Sequence, residues 1–317
     1  MKIAILYDFD KTLSYKDMQE YGFFDDLKIE DSKSFWSHVK AKAEKEEMDH
    51  ILTYLHEMIV QTQNRGIKLS REMLGKYGSQ IEFYPGVVDW FKHIDEVAML
   101  LNIELEHYII SSGLKEIIEN TPIASYFKKI YACEYLYDKN GQAIWPKLSV
   151  NYTIKTQFLY RINKGILDIS NDADLNRYQK EEERPIPFSH MIYIGDGFTD
   201  VPSMKLVKMN GGHAIAVVPY GKKRTHESDA LFEDKRVDFV VEADYRKGQE
   251  VDKIIQAIFK SLLAQKELDG LPDAIGALRL AGFQEAMRTA GLDADAYHEP
   301  AGTSEEVGYA VARRLLT

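Results

Sequence analysis

Two short stretches of this sequence place carboxylates where they could do chemistry. Asp8-Phe9-Asp10-Lys11-Thr12 sets two aspartates two residues apart, and Gly195-Asp196-Gly197-Phe198-Thr199-Asp200 sets two more four residues apart. Between them come Ser111-Ser112-Gly113 and Lys155. Four carboxylates gathered at one edge would repel each other and raise each other's pKa unless a cation sat among them. Oxygen-only donors suit a hard ion, and Mg2+ is favoured. Such an ion with spare water positions, beside a hydroxyl and a lysine, is a receptor for a phosphoryl group. Lys155 could supply that positive charge. Taken singly, each Asp or Ser reads as a helix cap or turn residue, and Lys155 as a solvated helix lysine. The conjunction, in this chain order, is what points to chemistry.

The elements that must position these residues follow from the apolar pattern. Ile3 to Tyr7 is a run that suits a strand buried on both faces. Tyr108-Ile109-Ile110 and Met191 to Ile194 are two more, each ending at a candidate motif. Lys129 to Glu134, Ala214 to Val218 and Phe239 to Val241 complete the strand candidates, with a hairpin turn at Asp138 to Gly141. Helical spacing marks Val87 to Leu101 and Lys155 to Asn163, the latter ending at Gly165 as a C-cap. Pro202 suits the first turn of a helix, where its missing N–H costs nothing. Strands alternating with helices imply a doubly wound parallel α/β sheet, and ligands collect beyond the carboxyl ends of such strands. Residues from Ser14 to Phe83 break that rhythm with several helices, connected near Asp31 and Gly66. The expected organisation is a Rossmann-like core over 1–13 and 84–264, an inserted helical unit over 14–83, and a short helical extension over 265–317. Asp168 to Pro187, polar and bounded by prolines, reads as a surface excursion.

Composition narrows the function classes. Of 317 residues, 45% are hydrophobic and 28% charged, which rules out disorder of the whole chain. The net charge is −10 and no basic block tracks a phosphate backbone, so no nucleic-acid partner is expected. A single cysteine, Cys133, excludes an intrachain disulfide and a thiolate zinc cluster. No apolar run approaches the roughly 20 residues of a membrane helix. The opening Met1-Lys2-Ile3-Ala4-Ile5-Leu6-Tyr7 meets aspartates at once and does not read as a signal peptide. A cytoplasmic protein with no membrane partner is expected.

The conjunction Asp-x-Asp-x-Thr, strand-end Ser, Lys and Gly-Asp-Gly-x-x-Asp resembles the haloacid dehalogenase-like hydrolase superfamily, closest to its phosphoserine-phosphatase-like members. The resemblance covers Met1 to about Leu263. It implies a Mg2+-dependent phosphatase acting on a small phosphorylated metabolite. Asp8 matches the nucleophile that becomes an aspartyl phosphate, Asp10 the general acid/base, and Thr12 the hydroxyl that braces their loop. Ser111 matches a phosphate-oxygen donor, assisted by the backbone at Ser112 and Gly113. Lys155 is similar to the lysine that neutralises nucleophile and phosphate. Asp196 looks like the direct Mg2+ ligand and Asp200 its partner one layer behind the ion, with Asp8 and the backbone carbonyl of Asp10 as further metal-site groups.

The helices over 14–83 correspond to the family's cap, which reads the leaving group. Here the sequence departs from phosphoserine phosphatases. Their cap-entry glutamate lies nine residues after the nucleophile, and that position is Asp17, with Gln19 and Glu20 nearby and Arg65 and Arg71 as arginines of the segment. The phosphoserine assignment is therefore not carried across. A phosphotransferase or mutase on the same scaffold, and a non-catalytic phosphate-ligand binding protein, remain alternatives at this stage.

Overall fold

The computed structural model describes residues 1–269. The chain divides into two units, Met1–Lys260 and Ser261–Thr317; of the second, only the stretch 261–269 is described. The expected extension over 265–317 therefore lies almost wholly outside the described residues.

The first unit opens with β1 (Lys2–Tyr7), then four helices, α1 (Phe23–Asp26), α2 (Ser32–Glu46), α3 (His50–Asn64) and α4 (Arg71–Gly78). The chain continues through α5 (Val87–Leu100), β2 (Glu104–Leu114), α6 (Lys115–Ile118), β3 (Phe127–Tyr137) and β4 (Ala143–Leu148). Then come α7 (Tyr152–Lys164), α8 (Asp172–Asn176), β5 (Met191–Gly195), α9 (Val201–Met209), β6 (His213–Val218), α10 (His226–Glu233), β7 (Phe239–Glu242) and α11 (Glu250–Asp269).

The strands form one sheet in the order β4-β3-β2-β1-β5-β6-β7. All neighbours are parallel except β3 and β4, which pair antiparallel across the Asp138–Gly141 turn. This is the doubly wound α/β architecture, with one correction. β4 was not among the strand candidates, because its exposed Ile144 and Trp145 break the alternation that marks a half-buried strand. The order also locates the site. The chain winds from β1 outward to β2 and β3, then returns to β5 on the other flank of β1. Ligand crevices form at the carboxyl ends of strands where such a winding reverses, and β1 and β5 are followed directly by Asp8 and Asp196.

Burial explains why these strands are apolar throughout. Ile3, Ala4, Ile5, Leu6 and Tyr7 are inaccessible to solvent, as are Met191 to Ile194. A second difference from the expectation concerns β2, which runs through Ser111-Ser112-Gly113 rather than stopping before them. Its register with β3 shifts between Ile110 and Leu114. Such irregularities re-aim a strand locally and are common beside functional sites.

The helices α1 to α4 leave and rejoin the sheet at one neck. Ser14 and Phe83 form an isolated antiparallel bridge, flanked by Tyr15 N–H donating to Glu82 O at 3.1 Å and Tyr84 N–H donating to Leu13 O at 2.9 Å. Side-chain caps set the helix starts: Asp31 accepts from Lys33 N–H, Asp49 from Leu52 N–H and Ser70 from Met73 N–H. The excursion over 168–187 is held from below by the buried Arg161, whose guanidinium donates to the carbonyls of Asp168, Ile169 and Asn171 and to the Asp172 carboxylate.

Candidate active site

Four chain segments converge at the carboxyl ends of β1, β2 and β5. Asp8 follows β1, and its N–H donates to Ile194 O on β5 at 2.9 Å. Its carboxylate is buried and accepts from Lys155 Nζ at 2.8 Å. Lys155 reaches this point because Asn151 caps α7, accepting from Ile154 N–H at 3.0 Å, so the helix starts at Tyr152 and Lys155 falls in its first turn. The same ammonium donates to Asp200 Oδ1 at 2.7 Å. Lys155 is thus a buried side chain, not a solvated one.

Oxygens of Asp8, Asp196 and Asp200 lie within 4.8 Å of one another. Three carboxylates against one ammonium leave the cluster two charges negative when all are ionised. Burial, opposed by the Lys155 ammonium, pushes the Asp8 carboxyl up to about 6. Asp196 is pushed well above the carboxylate range, by burial first and then by Asp8 and Asp200. Lys155 is held well above its ordinary value because Asp200 and Asp8 outweigh its own burial. Asp200 Oδ2 is buried and has no hydrogen-bond partner. An oxygen-only set, a net negative charge and an orphaned buried carboxylate oxygen fit a hard divalent cation.

Asp10 stands apart from that trio. Its Oδ1 accepts from Met18 N–H at 2.9 Å, and burial, then Asp17 and Asp8, push its carboxyl well above the usual range. A carboxylic acid that keeps its proton is equipped to donate one. Gly113 closes the other side: a Cβ there would stand 2.9 Å from Asp10 Oδ2 and 2.1 Å from Met18 Cε. Ser111 is buried and its Oγ accepts from Gly113 N–H at 3.0 Å, while Ser112 Oγ is buried with no partner. Gly195 has a comparable reason, since a Cβ on it would lie 2.5 Å from Asp200 Oδ2.

A family model described as "Putative Phosphatase" matches residues 3–258. The chain belongs to that family. An uncharacterized protein of Borreliella burgdorferi is 29% identical over 276 residues, covering 78% of this chain and 92% of the relative. Among solved structures, a HAD-family hydrolase of Salmonella enterica serovar Typhi aligns with a TM-score of 0.51 at 16% identity, covering 76% of this chain and 68% of the other. A probable phosphoserine phosphatase of Vibrio cholerae aligns with a TM-score of 0.52 at 11% identity, covering 84% and 67%. These two likenesses are of fold. Among the described residues no helix is long and apolar enough to cross a membrane.

Within this phosphatase-family protein the site residues read from sequence come together, with two differences. Asp10 offers no carboxylate to the three-aspartate cluster. Thr12 does not brace its loop by its hydroxyl, which is buried without a partner. The backbone does that work: Leu13 N–H donates to Phe9 O at 2.9 Å, and Tyr245 Oη donates to Thr12 O at 2.9 Å. Lys11 adopts a left-handed φ of 58°, which costs roughly 1–2 kcal/mol for a residue with a Cβ. Its Nζ then pairs with Asp17 at 2.7 Å, so Asp17 is already engaged. Arg65 donates to Leu27 O and Gln61, and Arg71 lies over the Tyr137 ring, so both have local partners. Cys133 is buried and its thiol is pushed up to about 12 by burial, which leaves no thiolate for nucleophilic work at neutral pH.

Sequence reading missed two tyrosines. Tyr54 of α3 donates to Ser112 O at 2.6 Å, and Tyr193 of β5 donates to Asp200 Oδ1 at 2.7 Å. The available signal was that a buried tyrosine needs a partner for its hydroxyl.

Proposed function

We propose that this protein is a Mg2+-dependent phosphatase that hydrolyses a small phosphomonoester through an aspartyl phosphate on Asp8. The carrying observation is the buried Lys155, which bridges Asp8 and Asp200 at 2.8 and 2.7 Å beside a carboxylate trio. An Asp8 oxygen forms the bond to phosphorus as the ester oxygen departs, and Asp10 gives that oxygen its proton. Asp10, now ionised, takes a proton from water, whose oxygen attacks phosphorus and breaks the bond to Asp8. Phosphate is released and Asp10 is protonated again. Lys155 holds the nucleophile and offers positive charge to the phosphoryl oxygens. Ser111 and the backbone N–H groups at Ser112 and Gly113 are the proposed phosphate donors on the β2 side. Mg2+, held by Asp8, Asp196, Asp200 and the Asp10 carbonyl, would neutralise equatorial oxygen charge when bound.

In this reading the helices over 14–83 act as the cap that excludes water and meets the leaving group. Purified protein should release phosphate from a generic aryl phosphate; EDTA should stop the reaction and added Mg2+ restore it. Equal turnover after rigorous chelation would refute the metal role.

A further inference from the structure

Asp200 occupies the N-cap position of α9 but makes no capping hydrogen bond. Asp is among the strongest N-cap residues, and a carboxylate placed there ordinarily accepts from the first free N–H groups of its helix. This one turns inward instead. Its Oδ1 accepts from Lys155 Nζ and from Tyr193 Oη, both at 2.7 Å, and its Oδ2 stays buried and unpartnered against Gly195. Tyr193 is two residues before Gly195 on β5, so the two lie on the same face of the strand. It is inaccessible to solvent.

We propose that Tyr193 is a positioning residue for cation binding: its hydroxyl, with Lys155, occupies one oxygen of Asp200 and thereby aims the other at the metal site. This rests on the reading that Asp8, Asp196 and Asp200 hold a divalent cation. A carboxylate held only by Lys155 could rotate about its Cβ–Cγ bond and share both oxygens with the flexible ammonium. A second donor on a rigid ring, fixed in a central strand, removes that freedom. Hydrogen bonds that orient ligating side chains typically govern metal affinity by about 10–100-fold when lost.

Tyr193→Phe tests this, since it removes one oxygen atom and keeps the ring. Mg2+ titrated into EDTA-stripped full-length protein should bind the parent and bind Tyr193→Phe at least about tenfold more weakly by calorimetry. The Mg2+ concentration for half-maximal phosphate release should rise in parallel, while kcat at saturating Mg2+ stays within about twofold. Circular dichroism melts in EDTA report any loss of folding separately. In an Asp200→Asn background, Tyr193→Phe should cause no further loss of Mg2+ affinity, because the hydroxyl acts through Asp200. Unchanged affinity with a lowered melting temperature would make Tyr193 merely structural and overturn the proposal. Additive losses in the double variant would also overturn it. A parent that binds no Mg2+ would refute the metal reading itself, a result distinct from either.

Discussion

The strand-end site and the helices over 14–83 treat buried charge in opposite ways. At the site, Asp8 and Asp200 share one buried ammonium beside Asp196, and burial leaves Asp8 raised to about 6. Among the described residues 14–83 the buried charge is Glu57, and it is fully engaged. Lys42 approaches it at 2.6 Å, His38 at 3.1 Å and Gln61 at 3.4 Å. Burial alone would raise Glu57, but those hydrogen bonds and charges win and hold it below its ordinary value. The unpartnered buried polar atoms of this segment are neutral ones, Gln19 Oε1 and Trp36 Nε1. Compensated charge of the Glu57 kind is structural; under-compensated charge of the Asp8 kind keeps its cost unless a ligand arrives. On the proposed function, the core therefore supplies the charge for chemistry, and the helices offer the leaving group neutral contacts.

Stability against pH tests that contrast most strongly. Between 3.8 and about 6 the folded protein holds the Asp8 proton that the unfolded chain has released, so this group lowers stability as pH rises through the window. In EDTA at pH 7, Asp8→Asn should be more stable to urea than the parent by up to about 3 kcal/mol, with the difference gone below 3.8. Glu57 has the reverse sign. Its contribution is present above its unfolded value of 4.5 and is lost as pH falls through the lower folded value. Glu57→Gln should accordingly cost about 1 kcal/mol at pH 7 and converge on the parent in acid. A destabilised Asp8→Asn alongside a neutral Glu57→Gln would reverse the comparison.

A smaller effect is expected from the neutral side. The Trp36 ring lies 5.7 Å from that of Tyr54, whose hydroxyl reaches the Ser112 carbonyl, and Gln19 follows Met18, whose N–H holds Asp10. Trp36→Phe or Gln19→Leu should lower kcat/KM about tenfold for a phosphomonoester with a poor leaving group, equivalent to 1.4 kcal/mol. An aryl phosphate, which needs less help, should change by less than about twofold. Equal losses on both substrates would mean that neither side chain meets the leaving group.

The parts of this protein legible in its sequence are those where one physical demand dominates. Ile3 to Tyr7 and Met191 to Ile194 must be apolar because both faces are covered, and the polar residue after each stands out against that run. Asp8 and Asp196 were readable for that reason, whereas Ser111, inside β2, and Lys155, in the first turn of α7, became readable only through the order of the motifs. Tyr193 was not readable, because a tyrosine within a buried run counts as apolar until its hydroxyl partner is known. The Lys11–Asp17 pair was hidden too, since it depends on a left-handed turn at a residue that ordinarily avoids one. The Thr12 hydroxyl illustrates the converse: a residue type can match while the backbone around it does the bracing.

The central claim is that phosphorus passes through Asp8 while Asp10 moves the proton, and an acid-quench experiment addresses it most directly. Asp10→Asn keeps the nucleophile but lacks the group that activates water, so the second displacement should slow by about 10²–10⁴-fold. With an aryl phosphate and Mg2+, phosphoenzyme should accumulate in this variant, and peptide mass analysis after the quench should place one phosphoryl group on Asp8. Phosphate release without any adduct, or an adduct on a residue other than Asp8, would contradict the account.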